Sequence, residues 1–407
     1  MQDNEKKPAL RFKGFTDPWE QRKFSELVQI ERGGSPRPID DFITDAPNGL
    51  NWVKIGDAPT QGNYITKTAE KIRPEGLSKT REVHPGDLIL SNSMSFGKPY
   101  IMGIDGCIHD GWLLIRNTYG VFDLTFLCHL LGTPQMLSQY RSLAAGSTVN
   151  NLNKELVGNT VVTIPSITEQ RVLGDYLEQL DTLITLHQRK YEKLVNIKKS
   201  MLDKMFPPNG ASVPEIRFKG FTDPWEQRKF SELYEKVSRK NDLTYGKDDI
   251  ISVANMYYKA ESYITDENYL LTYNVFEMGD IAFEGNKSKN FAHGRFVENT
   301  IGNGIVSHVF DVFKPRMTNY DLQFWKYAIN NERIMGPILL RSTKASTMMT
   351  NLVADDFLQE NFLIPCYEEQ KKIGEFLNQL DTLITLHQRK LEKLQNIKKS
   401  CLEKMFV

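Results

Sequence analysis

Residues 11–27 read RFKGFTDPWEQRKFSEL, and residues 217–233 repeat this stretch without a change. A second stretch, QLDTLITLHQRK, occupies residues 179–190 and again residues 379–390. The first repeat is offset by 206 residues and the second by 200, so the material between them differs in length. The chain is therefore a duplicated unit, and two copies are too few for a solenoid, which needs about three repeats.

The residues between these repeats diverge. Residues 28–163 and 234–363 share little beyond short motifs, of which PGDLI from Pro85 and MGDIA from Met278 are the clearest. Each insert thus lies between two constant segments, which together we call its frame. The frame of the first insert is residues 11–27 and 179–190, and that of the second is residues 217–233 and 379–390. This order indicates one scaffold that presents two different recognition surfaces.

The constant segment that closes each unit carries a helical pattern. Between Glu169 and Met205, apolar residues recur in alternating steps of three and four, and the second copy repeats the pattern. Each helix would span about 37 residues, or roughly 55 Å at 1.5 Å per residue. Pro207 and Pro208 end the first helix. Because neither helix could bury its stripe alone, we predict an antiparallel pair whose C-terminal end returns near the N-terminus.

One histidine occupies a seam position in each helix, His187 in the first and His387 in the second. A polar residue at a coiled-coil seam is more often a packing or register device than a metal ligand or a catalytic group. Packing is the favoured interpretation, and the functional one stays open.

Each divergent insert predicts a compact α+β domain of about 140 residues, because short β-like runs are broken by Gly, Pro and Asn. Polar loops follow the two Gly-Asp motifs, at residues 91–98 and 284–290. Asn can pair bidentately with adenine, and Lys can reach guanine or phosphate. The candidate DNA-binding residues are Ser91, Asn92, Ser93, Lys98, Asn286, Lys287, Lys289, Arg341 and Lys344. For any single loop residue, a plain polar surface turn is an equally good interpretation, and Arg341 and Lys344 are weaker candidates, for positioning a phosphate.

The composition is that of a globular protein without a charge bias. The 407 residues include 51 Lys plus Arg and 51 Asp plus Glu, so the net charge is zero. Proteins that bind DNA alone usually carry a basic excess, so this balance favours local basic faces or help from partners. No apolar run approaches the roughly 20 residues that span a bilayer. The first residues lack a secretory signal and the four cysteines are scattered, so we expect buried thiols in a cytoplasmic protein.

These motifs together resemble the specificity subunits of type I restriction-modification enzymes. PWEQRKFSEL heads each unit, PGDLILS and MGDIAFE lie inside, and IPSITEQ or IPCYEEQ leads into the QLDTLI helix. The match covers essentially the whole chain in the order of the family. The resemblance implies two target-recognition domains that read the two halves of a split, asymmetric site in double-stranded DNA. The paired helices would act as a ruler for the gap.

The resemblance also implies partners. Two modification (methyltransferase) subunits would dock on the helical region, and restriction (endonuclease and translocase) subunits would join to cleave DNA. S-adenosylmethionine, ATP and Mg²⁺ would belong to those partners, so we expect no cofactor and no metal in this chain. Phe283-Glu284-Gly285 departs from the commoner loop pattern seen at Leu90-Ser91-Asn92, which leaves the contacts of the second insert open. The residues chosen for partner binding are Leu180, Ile184, Leu380 and Ile384.

The expected architecture is an α+β fold with a pseudo-two-fold internal duplication, in which a pair of long antiparallel coiled-coil helices separates two globular target-recognition domains. The expected domains are residues 1–165 and 207–365, and the expected helices are residues 166–206 and 366–407. Catalysis is not expected, because the sequence lacks an Asn/Asp-Pro-Pro-aromatic methyltransferase loop and a GxxxxGK[ST] phosphate loop. The alternative is a coiled-coil structural or adaptor protein without DNA recognition, which would not explain identical frames around divergent inserts.

Overall fold

The computed structural model describes residues 7–92, 96–144, 151–208, 210–259, 264, 266–345 and 349–407. The chain forms two compact units, one from Met1–Lys190 with His387–Val407 and one from Tyr191–Leu386. Each unit therefore holds one α+β domain and parts of both long helices. We call the described residues before residue 167 the first domain and those from 207 to 366 the second domain.

The first domain is a mixed α+β structure with its sheets built from short strands. Its strands are β1 (Glu20–Lys23), β2 (Gln29–Arg32), β3 (Leu50–Val53), β4 (Tyr64–Ile65), β5 (Glu70–Ile72), β6 (Arg81–Val83), β7 (Leu88–Ser91), β8 (Pro99–Met102), β9 (Gly106–Ile108), β10 (Trp112–Arg116) and β11 (Val161–Ile164), and its helices are α1 (Leu124–Leu131), α2 (Pro134–Ala144) and α3 (Lys154–Gly158). One sheet has the strand order β2-β10-β7-β8-β4, and another has the order β5-β3-β9-β6.

Strand β7 shows how this domain fills two cores from one strand. Successive side chains of a strand point to opposite faces of its sheet. Leu88 and Leu90 lie in the apolar cluster that contains Phe126 of α1, whereas Ile89 lies in a second cluster with Val53 of the other sheet. A run that is apolar at every position is therefore buried on both faces.

The second domain repeats this plan with different strands. After the first long helix, α4 (Ile167–Lys204), its strands are β12 (Glu226–Lys229), β13 (Tyr234–Val237), β14 (Ile251–Ser252), β15 (Tyr257–Tyr258), β16 (Asn274–Phe276), β17 (Ile281–Glu284), β18 (Arg295–Glu298), β19 (Gly304–Val306), β20 (Val312–Pro315), β21 (Thr343–Ala345), β22 (Thr350–Leu352) and β23 (Asn361–Ile364), and its helices are α5 (Phe230–Leu233), α6 (Leu322–Ala328), α7 (Glu332–Ser342) and α8 (Ala354–Gln359). Its main sheet has the order β13-β20-β17-β18, and the chain ends in the second long helix, α9 (Tyr367–Lys404).

The two long helices pair antiparallel, as predicted. In the first unit, Asp181 of α4 binds Lys398 of α9, and His187 lies opposite His387 with their Nδ1 atoms 2.8 Å apart. Residue numbers rise along one helix while they fall along the other, which is the signature of an antiparallel pair. Both histidines occupy the predicted seam.

Two details differ from the sequence-based expectation. Cys366 is exposed, whereas Cys107, Cys128 and Cys401 are buried as predicted. Cys366 lies in the turn between β23 and α9, where the chain leaves the sheet and the thiol faces outward. The apolar residues at 306–313 predict a short β-strand from the sequence, but the structure has two strand ends joined by a turn, because β19 ends at Val306 and β20 begins at Val312. Within the described ranges, no helix is both long and apolar enough to cross a membrane.

Candidate DNA-recognition domains and their anchorage to the helices

The repeated N-terminal motif ties each domain to the strand that leads into its long helix. In the first domain, β1 pairs antiparallel with β11, with Glu20 opposite Ile164. In the second domain, β12 pairs with β23 in the same register, with Glu226 opposite Ile364. The EQRK segment of the constant motif is thus the strand that closes each domain at the base of its helix.

An arginine of the same motif binds a buried glutamate in the first turn of each helix. Arg11 donates to the two carboxylate oxygens of Glu169 at 2.7 and 2.8 Å, and Arg217 does the same to Glu369. The two glutamate side chains are 2% and 0% exposed, so each forms a buried, bidentate pair. Removing one partner of such a pair leaves an uncompensated charge inside the protein.

The far end of a long helix completes each frame. In the first unit, Leu10 N donates to Lys404 O at 2.9 Å, and the ring of Phe406 lies 6.4 Å from that of Trp19. In the second unit, Ile216 N donates to Lys204 O at 3.0 Å. Phe206 packs against Trp225 there with ring centroids 5.7 Å apart. The predicted return of the C-terminal helix end to the N-terminal motif is confirmed.

A glycine in each long helix allows a short helix of the domain to approach closely. Asp123 caps α1 by accepting from Phe126 N at 3.0 Å. A Cβ added at Gly174 would lie 2.4 Å from Thr125 Oγ1 and 2.9 Å from Phe126 N. In the second unit, a Cβ at Gly374 would lie 2.6 Å from Phe324 N of α6. Glycine destabilises a helix interior by about 1 kcal/mol relative to alanine, so its use at both positions has a packing reason.

The aspartate of each QLDTL sequence lies where three segments meet. Asp381 accepts a hydrogen bond from the Tyr327 hydroxyl of α6 at 2.6 Å and pairs with Lys198 of α4 at 2.5 Å. Asp181 pairs with Lys398 of α9 and accepts from Asn63 Nδ2 of the first domain at 2.9 Å. Sequence reasoning missed both aspartates, because an Asp within a charged helical pattern is usually solvated.

His129 of α1 is the buried neighbour of Asp181. Its Nε2 atom lies 3.8 Å from Asp181 Oδ2, and the side chain is 3% exposed. Burial lowers the pKa of His129 to about 4, and the nearby Lys398 acts in the same direction. His129, Glu178 and Asp181 have possible ligand atoms within 4.8 Å of one another. The Lys398 ammonium already occupies the cation position beside Asp181, so Asp181 is paired within the protein.

The loop after β7 contains the candidates of the first domain. Ser91 and Asn92 are buried, and their side chains hold the loop, since Ser91 Oγ accepts from Lys98 N at 2.9 Å and Asn92 Nδ2 donates to Asp110 O at 2.8 Å. Buried, engaged groups of this kind cannot pair with a base unless the loop opens. Lys98 is half-buried, with Nζ 4.9 Å from the Tyr100 ring centroid. Ser93 lies outside the described residues.

The equivalent loop of the second domain, after β17, carries exposed candidates. Asn286, Lys287 and Lys289 are exposed. Thr350 N of β22 donates to Gly285 O at 2.8 Å, so the hairpin β21–β22 lies beside this loop and brings exposed Lys344 to the same part of the domain. This loop and its neighbouring hairpin form one polar surface patch.

Arg341, the remaining candidate, is already engaged. Its guanidinium binds both carboxylate oxygens of Glu360, at 2.8 and 2.5 Å. This pairing raises the pKa of Arg341. The side chain is partly exposed, and a phosphate would have to compete with Glu360 for it.

The residues chosen for partner binding lie inside the helix pair. Leu180 is 6% exposed and shares an apolar cluster with Leu394 and Ile397 of α9. Leu380 is also buried, as is Ile184, and Ile384 is half-buried. Leu180, Ile184 and Leu380 thus pack within the helix pair, and Ile384 keeps part of its surface exposed.

A different set of apolar residues faces outward, which the sequence analysis did not single out. Leu183 and Leu383 are each 42% exposed, and Leu186 and Leu386 are each 44% exposed. All four lie in the identical QLDTLITLHQRK segments. The identity of the two segments therefore extends beyond the residues that the fold needs for packing.

The family described as type I restriction modification DNA specificity domain matches residues 16–196 and again residues 222–396. The chain belongs to this family. Its members are specificity subunits, which choose a DNA sequence and are not themselves catalytic. The two matches coincide with the two copies of the duplicated unit, so the chain carries two target-recognition domains of a type I restriction-modification specificity subunit.

Relatives of this family are similar to the chain over nearly its full length. The type I restriction enzyme MjaVIII specificity subunit of Methanocaldococcus jannaschii is 22% identical over 395 residues, which cover 89% of each chain. The S subunit of a type I restriction-modification system from M. genitalium has a similar fold, with a TM-score of 0.60 at 15% identity over 98% of this chain and 99% of that one. A structure on complex assembly and conformational transition of the type I R-M system gives a TM-score of 0.51 at 14% identity over 95% and 97%.

Proposed function

We propose that this subunit reads a split, asymmetric site in double-stranded DNA, with each domain reading one half. The observation that carries this proposal is the pair of identical frames around two domains of different sequence. Identical anchors hold the domains in equivalent ways, whereas their different loops would contact different bases. The half-sites are therefore expected to differ.

The proposed DNA surface of the second domain is the patch formed by Asn286, Lys287, Lys289 and Lys344. An exposed amide can read adenine, and the lysines can contact phosphate or guanine. In the first domain, Lys98 and the loop that Ser91 and Asn92 support are the proposed equivalent. Ser91 and Asn92 act there by shaping the loop.

The proposed partners are two modification subunits, with restriction subunits joining them. The exposed leucines Leu183, Leu186, Leu383 and Leu386 support this stoichiometry, because one surface that occurs twice fits two copies of one partner. The two helices would then serve both as the ruler for the gap and as the docking site. S-adenosylmethionine, ATP and Mg²⁺ would be bound by the partners, and the complex would act in the cytoplasm, where the chromosome lies.

The second candidate is an adaptor without DNA recognition, to which the zero net charge is favourable. Such a protein has no use for two divergent domains in identical frames. It would also leave the lysine-containing loop of the second domain without a role.

Co-expression with the cognate modification subunit in a methylation-free host tests the proposal. Single-molecule sequencing would map N6-methyladenine across the genome. We expect a split motif with two different halves and a fixed gap, present only when both proteins are expressed. Absent or random methylation by a complex that purifies as one folded species would contradict the proposal and favour the adaptor.

A matched pair of variants tests the partner surface. Leu183→Lys with Leu383→Lys places charges on the exposed face of both helices, and Thr182→Lys with Thr382→Lys places the same charges at neighbouring exposed positions. We expect the leucine variant to lose co-purification with the modification subunit and the threonine variant to retain more of it. Equal retention by both variants would place the docking surface elsewhere.

A further inference from the structure

Each constant aspartate joins its own long helix to the opposite helix and to a domain. Asp381 of α9 is bound by Lys198 of α4 and by Tyr327 of α6. Asp181 of α4 is bound by Lys398 of α9, with Asn63 and His129 of the first domain around its other oxygen. The lysines come from identical NIKKS sequences, so only the contribution of the domain differs between the two units.

The two domains supply that contribution from the same position. Helices α1 and α6 both follow a capping aspartate and read Leu-x-Phe at their starts. His129 and Tyr327 each lie six residues after that aspartate, at Asp123 and Asp321. The domains have otherwise diverged, yet both present a polar ring to the constant aspartate.

Each constant aspartate lies on the same helix face as the glycine that contacts the start of the short helix. On α9, Gly374 and Asp381 are seven residues apart, which is two turns, so they lie on the same face. Gly374 lets the start of α6 approach the long helix closely, and Asp381 binds Tyr327 near the end of α6. Two contacts along one short helix fix the direction of that helix as well as its place, because one contact alone would leave it free to pivot.

We propose that Asp181 and Asp381 are positioning residues that set the angle of each target-recognition domain on the helix pair and thereby the single gap length that the subunit accepts. This inference rests on the proposed function, because it assumes that a split site with a defined gap is read. Neither aspartate touches DNA in this proposal. Each acts through the short helix that its carboxylate holds.

The competing explanation is that the aspartates only stabilise the fold. Loss of stability lowers methylation of every site alike, since less folded protein is present. Loss of position instead changes which gaps are accepted, because a domain that pivots can reach half-sites at a neighbouring spacing. The distribution of methylation over gap lengths therefore separates the two explanations.

The test uses the full chain with its modification subunit and a plasmid library in which the native half-sites are separated by gaps from two base pairs shorter to two longer. Tyr327→Phe removes one hydroxyl, and Asp381→Asn removes the charge that Lys198 and Tyr327 share. Glu375→Gln is the matched control, since it makes the same carboxylate-to-amide change at an exposed position six residues earlier on α9.

For wild type and Glu375→Gln, we expect methylation at one gap length. For Tyr327→Phe and Asp381→Asn, we expect discrimination against gaps one base pair longer or shorter to fall about tenfold, as for the loss of one hydrogen bond to a charged group. Uniformly lower methylation with an unchanged gap would overturn the inference, and so would unchanged methylation in both variants. If Asp381→Asn fails to assemble, Tyr327→Phe decides the matter. Wild type that methylates no split site would instead contradict the proposed function.

Discussion

The two domains rest on identical helix residues through different side chains. In the second unit, the Tyr327 hydroxyl donates directly to Asp381 at 2.6 Å. In the first unit, His129 lies at 3.8 Å from Asp181, and Asn63 makes the hydrogen bond at 2.9 Å. The difference teaches that the constant helices specify where a domain must bind and leave the chemistry of the contact free. A divergent domain can therefore be accepted if it keeps the capping aspartate, the short helix and a polar group near its end.

The largest loss of folding stability is expected at the buried Arg–Glu pairs, which have the same geometry in both frames. Glu369→Ala would leave Arg217 buried without its partner, and we expect this to cost about 3–5 kcal/mol. Glu169→Ala should cost slightly more, because Trp19 Nε1 also donates to Glu169, at 3.4 Å, and would lose its acceptor. Urea denaturation of the purified chain measures both variants.

Glu226→Ala is the control for this pair, because Glu226 is 66% exposed in the same frame. It should change the free energy of unfolding by less than about 0.5 kcal/mol. Equal midpoints for Glu369→Ala and the control would show that the buried pairs do not hold the frames together.

Acidification should destabilise the first domain more than the second. The unfolded chain protonates His129 below about pH 6.5, whereas the folded protein holds its pKa at about 4. The stabilising contribution is therefore present above pH 6.5 and is lost as the pH falls toward 4. Between pH 7.5 and 5, we expect a loss of about 2 kcal/mol.

Tyr327, the counterpart of His129, does not titrate in this range because burial raises its pKa. Burial raises the pKa of Asp280 in the second domain to about 6, so its protonation would add stability there as the pH falls. The loss should therefore fall on the first domain. Hydrogen exchange of α1 and α6, corrected for intrinsic rates, measures it at each pH. His129→Gln should flatten the pH dependence at α1, and His308→Gln, at an exposed histidine of the second domain, should leave it intact. A loss of protection at α6 as large as that at α1 would contradict the assignment.

The helix glycines give a smaller effect that both units should share. Gly174→Ala and Gly374→Ala each force a methyl group against the start of a short helix. We expect a net cost of about 1–2 kcal/mol, since overpacking is partly offset by the better helix propensity of alanine. Thermal unfolding compares each variant with its exposed neighbour, Asp175→Ala or Glu375→Ala. A higher unfolding temperature for a glycine variant would mean that the short helix shifts at little energetic cost to accommodate the methyl group.

The loops give the smallest expected effect. Lys287→Ala with Lys289→Ala should lower the slope of log affinity against log salt concentration by about two, and Lys98→Ala by about one, because each lost phosphate contact changes that slope by roughly 0.9. Fluorescence anisotropy with a duplex that carries the methylated motif measures these slopes in the complex. Asp242→Ala, at an exposed loop of the second domain, is the control. Unchanged slopes would remove these lysines from the DNA surface.

The long helices could be predicted from sequence because their signal is local. The stripe from Glu169 to Met205 matches the observed helix Ile167–Lys204 to within two residues at each end. The antiparallel pairing followed from the chain order. The sheets could not be predicted in the same way, since β2 pairs with β10 across some 80 residues and no local pattern carries that information.

The candidate site was predicted only in part, and for a physical reason. Ser91 and Asn92 have the polarity of base-contacting residues, but polarity does not reveal that their groups are buried and engaged. Asp181 and Asp381 show the reverse, since they resemble solvated helix residues until the opposite helix brings a lysine to them. The exposed leucines were identifiable in principle, because positions 183 and 186 repeat at 383 and 386 outside the apolar seam.

The reciprocal ion pairs Asp181–Lys398 and Lys198–Asp381 fix the register of the helix pair at two points. Sliding one helix by a heptad would move its side chains by about 10 Å, which is roughly the rise of three base pairs. That slide would break both ion pairs and leave two lysines and two aspartates without their partners. The two ion pairs therefore hold the helix pair in one register, and an inserted or deleted helical turn is compatible with them only if each aspartate stays opposite its lysine.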